Sequence, residues 1–172
     1  AFGAPLRGPN LSDATGWGDY ANAASLRFAD LDGDGDLDLC ARANAGIRCS
    51  IFDGAGFGAL FEGPDLGDDG SWDLLRFGST LRSADVDGDG RDDLCARAWS
   101  RMQCWPSTGA AFGEPVLGPP WGESGGWGEP SAFATIRLAN HRCRAVELCD
   151  NGLDDDCDGV VDCDDDDDDD DT

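Results

Sequence analysis

Lysine is absent from this 172-residue chain; all twelve basic positions are arginine, and histidine, methionine and tyrosine occur once each. With His141 as the single imidazole, neither a Ser/His/Asp set nor a histidine-rich zinc site is expected. No basic stripe is present to neutralise phosphates, which argues against nucleic acid as a partner. No apolar run is long enough to cross a bilayer as a helix, so no membrane insertion is expected.

What the chain has in excess is aspartate. The formal net charge is -24, from 36 acids against 12 arginines. Three short loops hold five acids each, and the run Asp164 to Asp171 adds eight, leaving 13 acids for the rest of the chain. The body is therefore nearly neutral, and the charge belongs to the loops and the tail. The 164–172 run reads as a solvated charge run by default, with a calcium sink or an electrostatic handle as the alternatives.

The loops share one spacing. Asp30, Asp32, Asp34, Gly35, Asp36 and Asp38 recur 55 residues on as Asp85, Asp87, Asp89, Gly90, Arg91 and Asp93. A third copy, Asp154, Asp156, Asp158, Gly159, Val160 and Asp162, falls outside that period. Calcium takes six to eight oxygens, and alternate carboxylates closed by a glycine turn supply them. Position 7 would give only its backbone carbonyl, consistent with Asp36, Arg91 and Val160 being unlike. The helix-loop-helix calcium hand is disfavoured, since its glutamate at position 12 is Ala41 or Ala96 in the periodic copies. Two or three Ca2+ sites are expected.

Eight cysteines beside one histidine suit disulfides better than zinc. Cys40 and Cys49 recur as Cys95 and Cys104, and a tight β-hairpin turning near 44–45 or 99–100 would set each pair opposite one another. Cys143, Cys149, Cys157 and Cys163 leave three connectivities open. Disulfides and calcium together point to a secreted, extracellular protein. The sequence begins at Ala1, not Met, so an export signal is expected to have been removed.

The 55-residue period reaches beyond the loops, to Phe2, Phe57 and Phe112, to Trp17, Trp72 and Trp127, and to Arg27, Arg82 and Arg137. In the third unit Asn140 replaces the first ligand, so no calcium is expected there. Short apolar runs broken by Gly, Asp and Pro, without helical periodicity, read as all-β. Strands are expected near 25–30, 38–43, 47–52 and 57–62 in the first unit. Four strands in a period of this length suggest antiparallel β-propeller-type blades in tandem, about two and a half of them. Units fall near 1–56, 57–111 and 112–140, followed by an irregular Cys/Asp-rich, disulfide- and metal-binding tail at 141–163 and the poly-Asp run.

On its Phe-Gly pairs, its two periodic Asp loops and the Asp-Leu-Cys-Ala-Arg strands at 38–42 and 93–97, the chain resembles FG-GAP/VCBS-type repeats of integrin-α-like propellers. Residues 148–163 separately resemble a cysteine- and aspartate-rich metal-binding motif of bacterial surface proteins, which implies a bacterial cell surface. The resemblance implies a non-catalytic, calcium-binding structural or adhesive protein. Because this number of units closes no ring, self-association head to tail into a fibre or ring by strand complementation is expected, with a fragment of a longer chain as the alternative. The competing function is a lectin-like module binding extracellular glycans, in which Trp17, Trp72 and Trp127 stack on sugar rings. Large aromatics recurring at fixed register more often fill a core.

Overall fold

The computed structural model describes residues 7–139. The third acidic loop, the four tail cysteines and the poly-Asp run lie outside the described residues. Eight strands form two four-stranded antiparallel sheets of sequential order. The first comprises β1 (Arg27–Ala29), β2 (Asp38–Ala43), β3 (Gly46–Phe52) and β4 (Phe57–Glu62). The second comprises β5 (Arg82–Ala84), β6 (Asp93–Arg97), β7 (Met102–Trp105) and β8 (Val116–Leu117). The expected four-stranded antiparallel units are present; no ring closes among the described residues.

The linkers are less plain than their glycine content suggests. Each carries a 3-10 turn and then one turn of α-helix, at Asp13–Thr15 and Tyr20–Ala23, Asp68–Gly70 and Leu75–Gly78, and Glu123–Gly125 and Pro130–Phe133. Four-residue helices give no 3.6-residue periodicity to find in a sequence. They are fastened to the sheets by hydroxyls: the Arg42 N–H donates to Ser25 Oγ at 2.7 Å, and the Arg97 N–H donates to Thr80 Oγ1 at 2.9 Å.

Strand alternation assigns the two faces of each sheet. Cys40 lies opposite Cys49 and Cys95 opposite Cys104, and both pairs are disulfides with Cα atoms 4.0 Å apart. The hairpin reading of these four cysteines is thus correct. Their face of the first sheet, with Ile47 and Ile51, packs on Leu94, Ala96 and Trp105 of the second sheet, and Leu66 and Trp72 of the linker join this cluster. The disulfide face of the second sheet, with Met102, meets Trp121, Trp127, Phe133 and Ile136 of the third unit. Covered on both sides, β6 is buried at all five positions.

Polar contacts repeat across these junctions with the same period. Arg27 Nε donates to the Leu81 carbonyl, and Arg82 Nε donates to the Ile136 carbonyl at 3.1 Å. Burial, with Arg82 beside it, brings the Arg27 guanidinium down to about 10. Arg42 pairs with Asp68 and Arg97 with Glu123, each at 2.7 Å, with both arginines buried. Each of the first two units therefore grips the next through arginines at the same two positions.

Asp38 and Asp93 are fully buried, and both oxygens of each accept main-chain hydrogen bonds. Asp38 takes the N–H of Leu31 at 2.9 Å and of Phe52 at 2.8 Å; Asp93 takes those of Val86 at 3.0 Å and Ser107 at 2.8 Å. Replacing Asp93→Ala orphans two main-chain donors, at about 1–3 kcal/mol each. Chemical denaturation of that variant should show a loss of about 2–5 kcal/mol, with a hydrophobic surface variant such as Val116→Ala changing little.

Candidate functional site

Two kinds of site stand out, a pair of acidic loops and a cleft on the outer face of the first sheet. In the loops, Asp30, Asp32 and Asp34 bring one oxygen each to within 4.8 Å of one another, as do Asp85, Asp87 and Asp89. Oxygens sharing one calcium lie at most about 5 Å apart, twice the 2.3–2.6 Å bond, so both triads could hold such an ion. Gly35 and Gly90 turn with φ of 91° and 89°, a region that side chains resist. Asp30 accepts the N–H groups of Gly33 at 2.9 Å and Gly35 at 3.1 Å; Asp85 does the same for Gly88 and Gly90 at 2.8 and 3.0 Å. The first carboxylate thus shapes the loop around itself.

The other expected ligand positions are placed differently. Asp38 and Asp93 anchor the loops to the sheets, as above. Asp36 is exposed, while the Arg91 guanidinium bonds Asp89 and the Ser107 carbonyl. The loops also touch: the Asp92 N–H donates to the Asp30 carbonyl at 2.6 Å, and the Asp30 N–H donates to the Asp92 carboxylate at 3.0 Å. Nothing in the spacing marked Asp92 for this role, since its counterpart in the first unit is the exposed Leu37.

The three periodic tryptophans meet three fates. Trp72 is 8% exposed, edge-on to Phe77 and to Trp105, and presents no free face. Trp127 is stacked on Trp121 with ring centres 4.6 Å apart. Trp17 is half-buried and lines a cleft of about 450 Å³ together with Asn10, Leu39, Arg48, Ser50 and Leu60. The wall of this cleft is the sheet face whose counterpart in the second unit, Leu94, Ala96 and Trp105, is packed against the first sheet. In the first unit Ser50 stands where Trp105 would be, and the indole's space is open. Arg48 and Ser50 are lining residues that the sequence alone did not single out, and Asn10 was marked there only as a candidate glycan acceptor. Comparing the repeats position by position for polar exchanges would have found them.

No known family model matches the chain, and no curated protein does. Among solved structures the chain resembles one from Agrocybe aegerita, with 25% identity and a TM-score of 0.52. The likeness is to a lectin. That protein is described by its specific recognition of non-reducing terminal N-acetylglucosamine. The alignment covers 58% of this chain and 26% of the lectin, so the chain spans about a quarter of its length.

Burial raises the carboxyls of Asp38 and Asp93 above the ordinary range; their main-chain hydrogen bonds oppose this, and the loop carboxylates Asp32 and Asp34, or Asp87 and Asp89, add to it. A raised folded-state value means that ionisation costs stability, fully so above that value and not at all below the unfolded value of 3.8. In calcium-free buffer the melting temperature should therefore rise as pH is lowered from 7 towards 4. A fall over that range, followed by circular dichroism, would contradict the assignment.

Proposed function

We propose that this chain is a lectin-like, non-catalytic carbohydrate-binding repeat that works outside the cell. The observation that carries this reading is the cleft at Trp17, which joins an indole to the polar groups of Asn10, Arg48 and Ser50 over a rigid sheet. A sugar ring has an apolar face and a polar rim, and a pocket of this composition answers both. The likeness to a lectin supports it. Two disulfides suggest an extracellular or oxidising environment, and no helix among the described residues is long and apolar enough to cross a membrane. The sequence alone favoured a structural or adhesive role over a lectin; the cleft and the likeness reverse that order, and adhesion becomes a consequence of sugar binding. Self-association has no observation behind it comparable to the cleft.

In this reading calcium is the structural cofactor, held by Asp30, Asp32 and Asp34 and by Asp85, Asp87 and Asp89, and the FG-GAP/VCBS-type resemblance supports that choice of ion. Its chemistry there is charge neutralisation: three carboxylates within 4.8 Å repel one another unless a cation lies among them. The chain's own residues do the rest, Asp30 and Asp85 folding each loop and Asp38 and Asp93 fixing it to the sheet.

A glycan array probed with the purified chain should show saturable binding, and Trp17→Ala should remove most of it, by about tenfold or more for the loss of one stacking platform. Trp127→Ala should leave sugar binding intact. An array without any signal refutes the carbohydrate reading. Separately, millimolar CaCl2 should raise the melting temperature and a chelator should reverse the gain, since a ligand that binds only the folded state stabilises it by mass action.

A further inference from the structure

The repeat supplies its own control for the cleft. At four lining positions the first unit departs from the second: Asn10 for Asp65, Arg48 for Gln103, Ser50 for Trp105, and Leu60 for Pro115. Two of these exchanges change charge, and both move it in the positive direction. The outcome is a cleft whose one charged lining residue, among the described residues, is an arginine, in a chain with a net charge of -24. If this face served only to pack another sheet, as its counterpart does, the apolar Trp105 would suit it better than serine.

Arg48 is held yet not used up. Its Nη1 donates to the Ile47 carbonyl at 2.9 Å, which fixes the side chain along the strand. Its Nη2 lies 3.7 Å from Glu62, whose side chain is 79% exposed, and a pair that open contributes little and is readily exchanged. The guanidinium edge thus remains able to take a carboxylate bidentately, the geometry that arginine suits and a point charge does not.

We propose that the cleft selects sugars bearing a carboxylate, with the ring against the Trp17 indole and the acid group on Arg48. This rests on the carbohydrate-binding reading and narrows it to a chemical class, that of uronic and sialic acids.

Calorimetry of the full chain in calcium-containing buffer tests this with glucuronic acid, N-acetylneuraminic acid and the neutral sugars glucose and N-acetylglucosamine. At least one acid should bind about tenfold tighter than the neutral sugars, the gain expected of a charge-assisted contact, and should weaken as salt is raised. The two acids tell which acidic sugar the cleft accommodates. Arg48→Gln, which installs the residue that the second unit carries, should abolish the acid preference, bringing the acids down to the affinity of the neutral sugars. Ser50→Trp, also borrowed from the second unit, should close the cleft to every sugar. Equal or tighter binding of neutral sugars, or an acid preference that survives Arg48→Gln, overturns the proposal and leaves the carbohydrate reading standing. Absence of binding by all four sugars overturns the proposal and counts against the reading beneath it. Arg48 is partly exposed and Gln103 occupies the same place in a folded unit, so the decisive variant is not expected to unfold.

Discussion

Asp38 and Asp93 each tie three parts of a repeat together with one carboxylate. One oxygen takes a main-chain N–H from the start of the acidic loop, and the other takes one fourteen residues on in sequence, from Phe52 at the end of β3 or from Ser107 just beyond β7. The loops could not hold several like charges close together without such an anchor, because an unrestrained turn would splay to separate them. The cost is an ionised group without solvent, which is why burial pushes both carboxyls upward. Hydrogen bonds to the charged form repay part of that cost. The attachment of each acidic loop to its hairpin follows from these two residues.

Between units the arginines take over. Arg27 and Arg82 reach forward to main-chain carbonyls, and Arg42 and Arg97 reach forward to acids, so the apolar junctions are framed by directional contacts. Burial of aromatic and aliphatic groups gives the junction its energy, while the guanidinium forks fix its angle. Trp72 belongs to this machinery. Its indole fills the space between the sheets, and the same position in the first unit, Trp17, is left facing a cleft because no sheet covers it among the described residues.

Much of this was legible in the sequence. Strand positions followed from the short apolar runs, and the nine-residue cysteine spacing fixed both hairpins, because a disulfide tolerates only near-opposed residues. The acidic triads were visible in alternation alone. Three things were not. Single helical turns leave no period. The dual acceptor role of Asp38 and Asp93 depends on main-chain donors, which every residue has and no sequence displays. The distinction among Trp17, Trp72 and Trp127 depends on what lies across from each ring, and that is set by whether another sheet follows or precedes.

The forward reach of the arginines makes the stack polar, like a row of interlocked bricks whose tongues all point one way. Losing material from its two ends is therefore not equivalent. Without the third unit, Arg82 and Arg97 would keep their positive charges but lose the Ile136 carbonyl and Glu123 that satisfy them. Without the first, the second would lose the guanidinium donors to the Leu81 carbonyl and the Asp68 carboxylate, and the carbonyls of Asp30, Phe28 and Leu31 that accept from Asp92, Ser83 and Ser107, but it would strand no buried guanidinium. The asymmetry lies in the charges: only the trailing side strands a fully buried cation, that of Arg97, and an unpaired buried charge is the costlier loss.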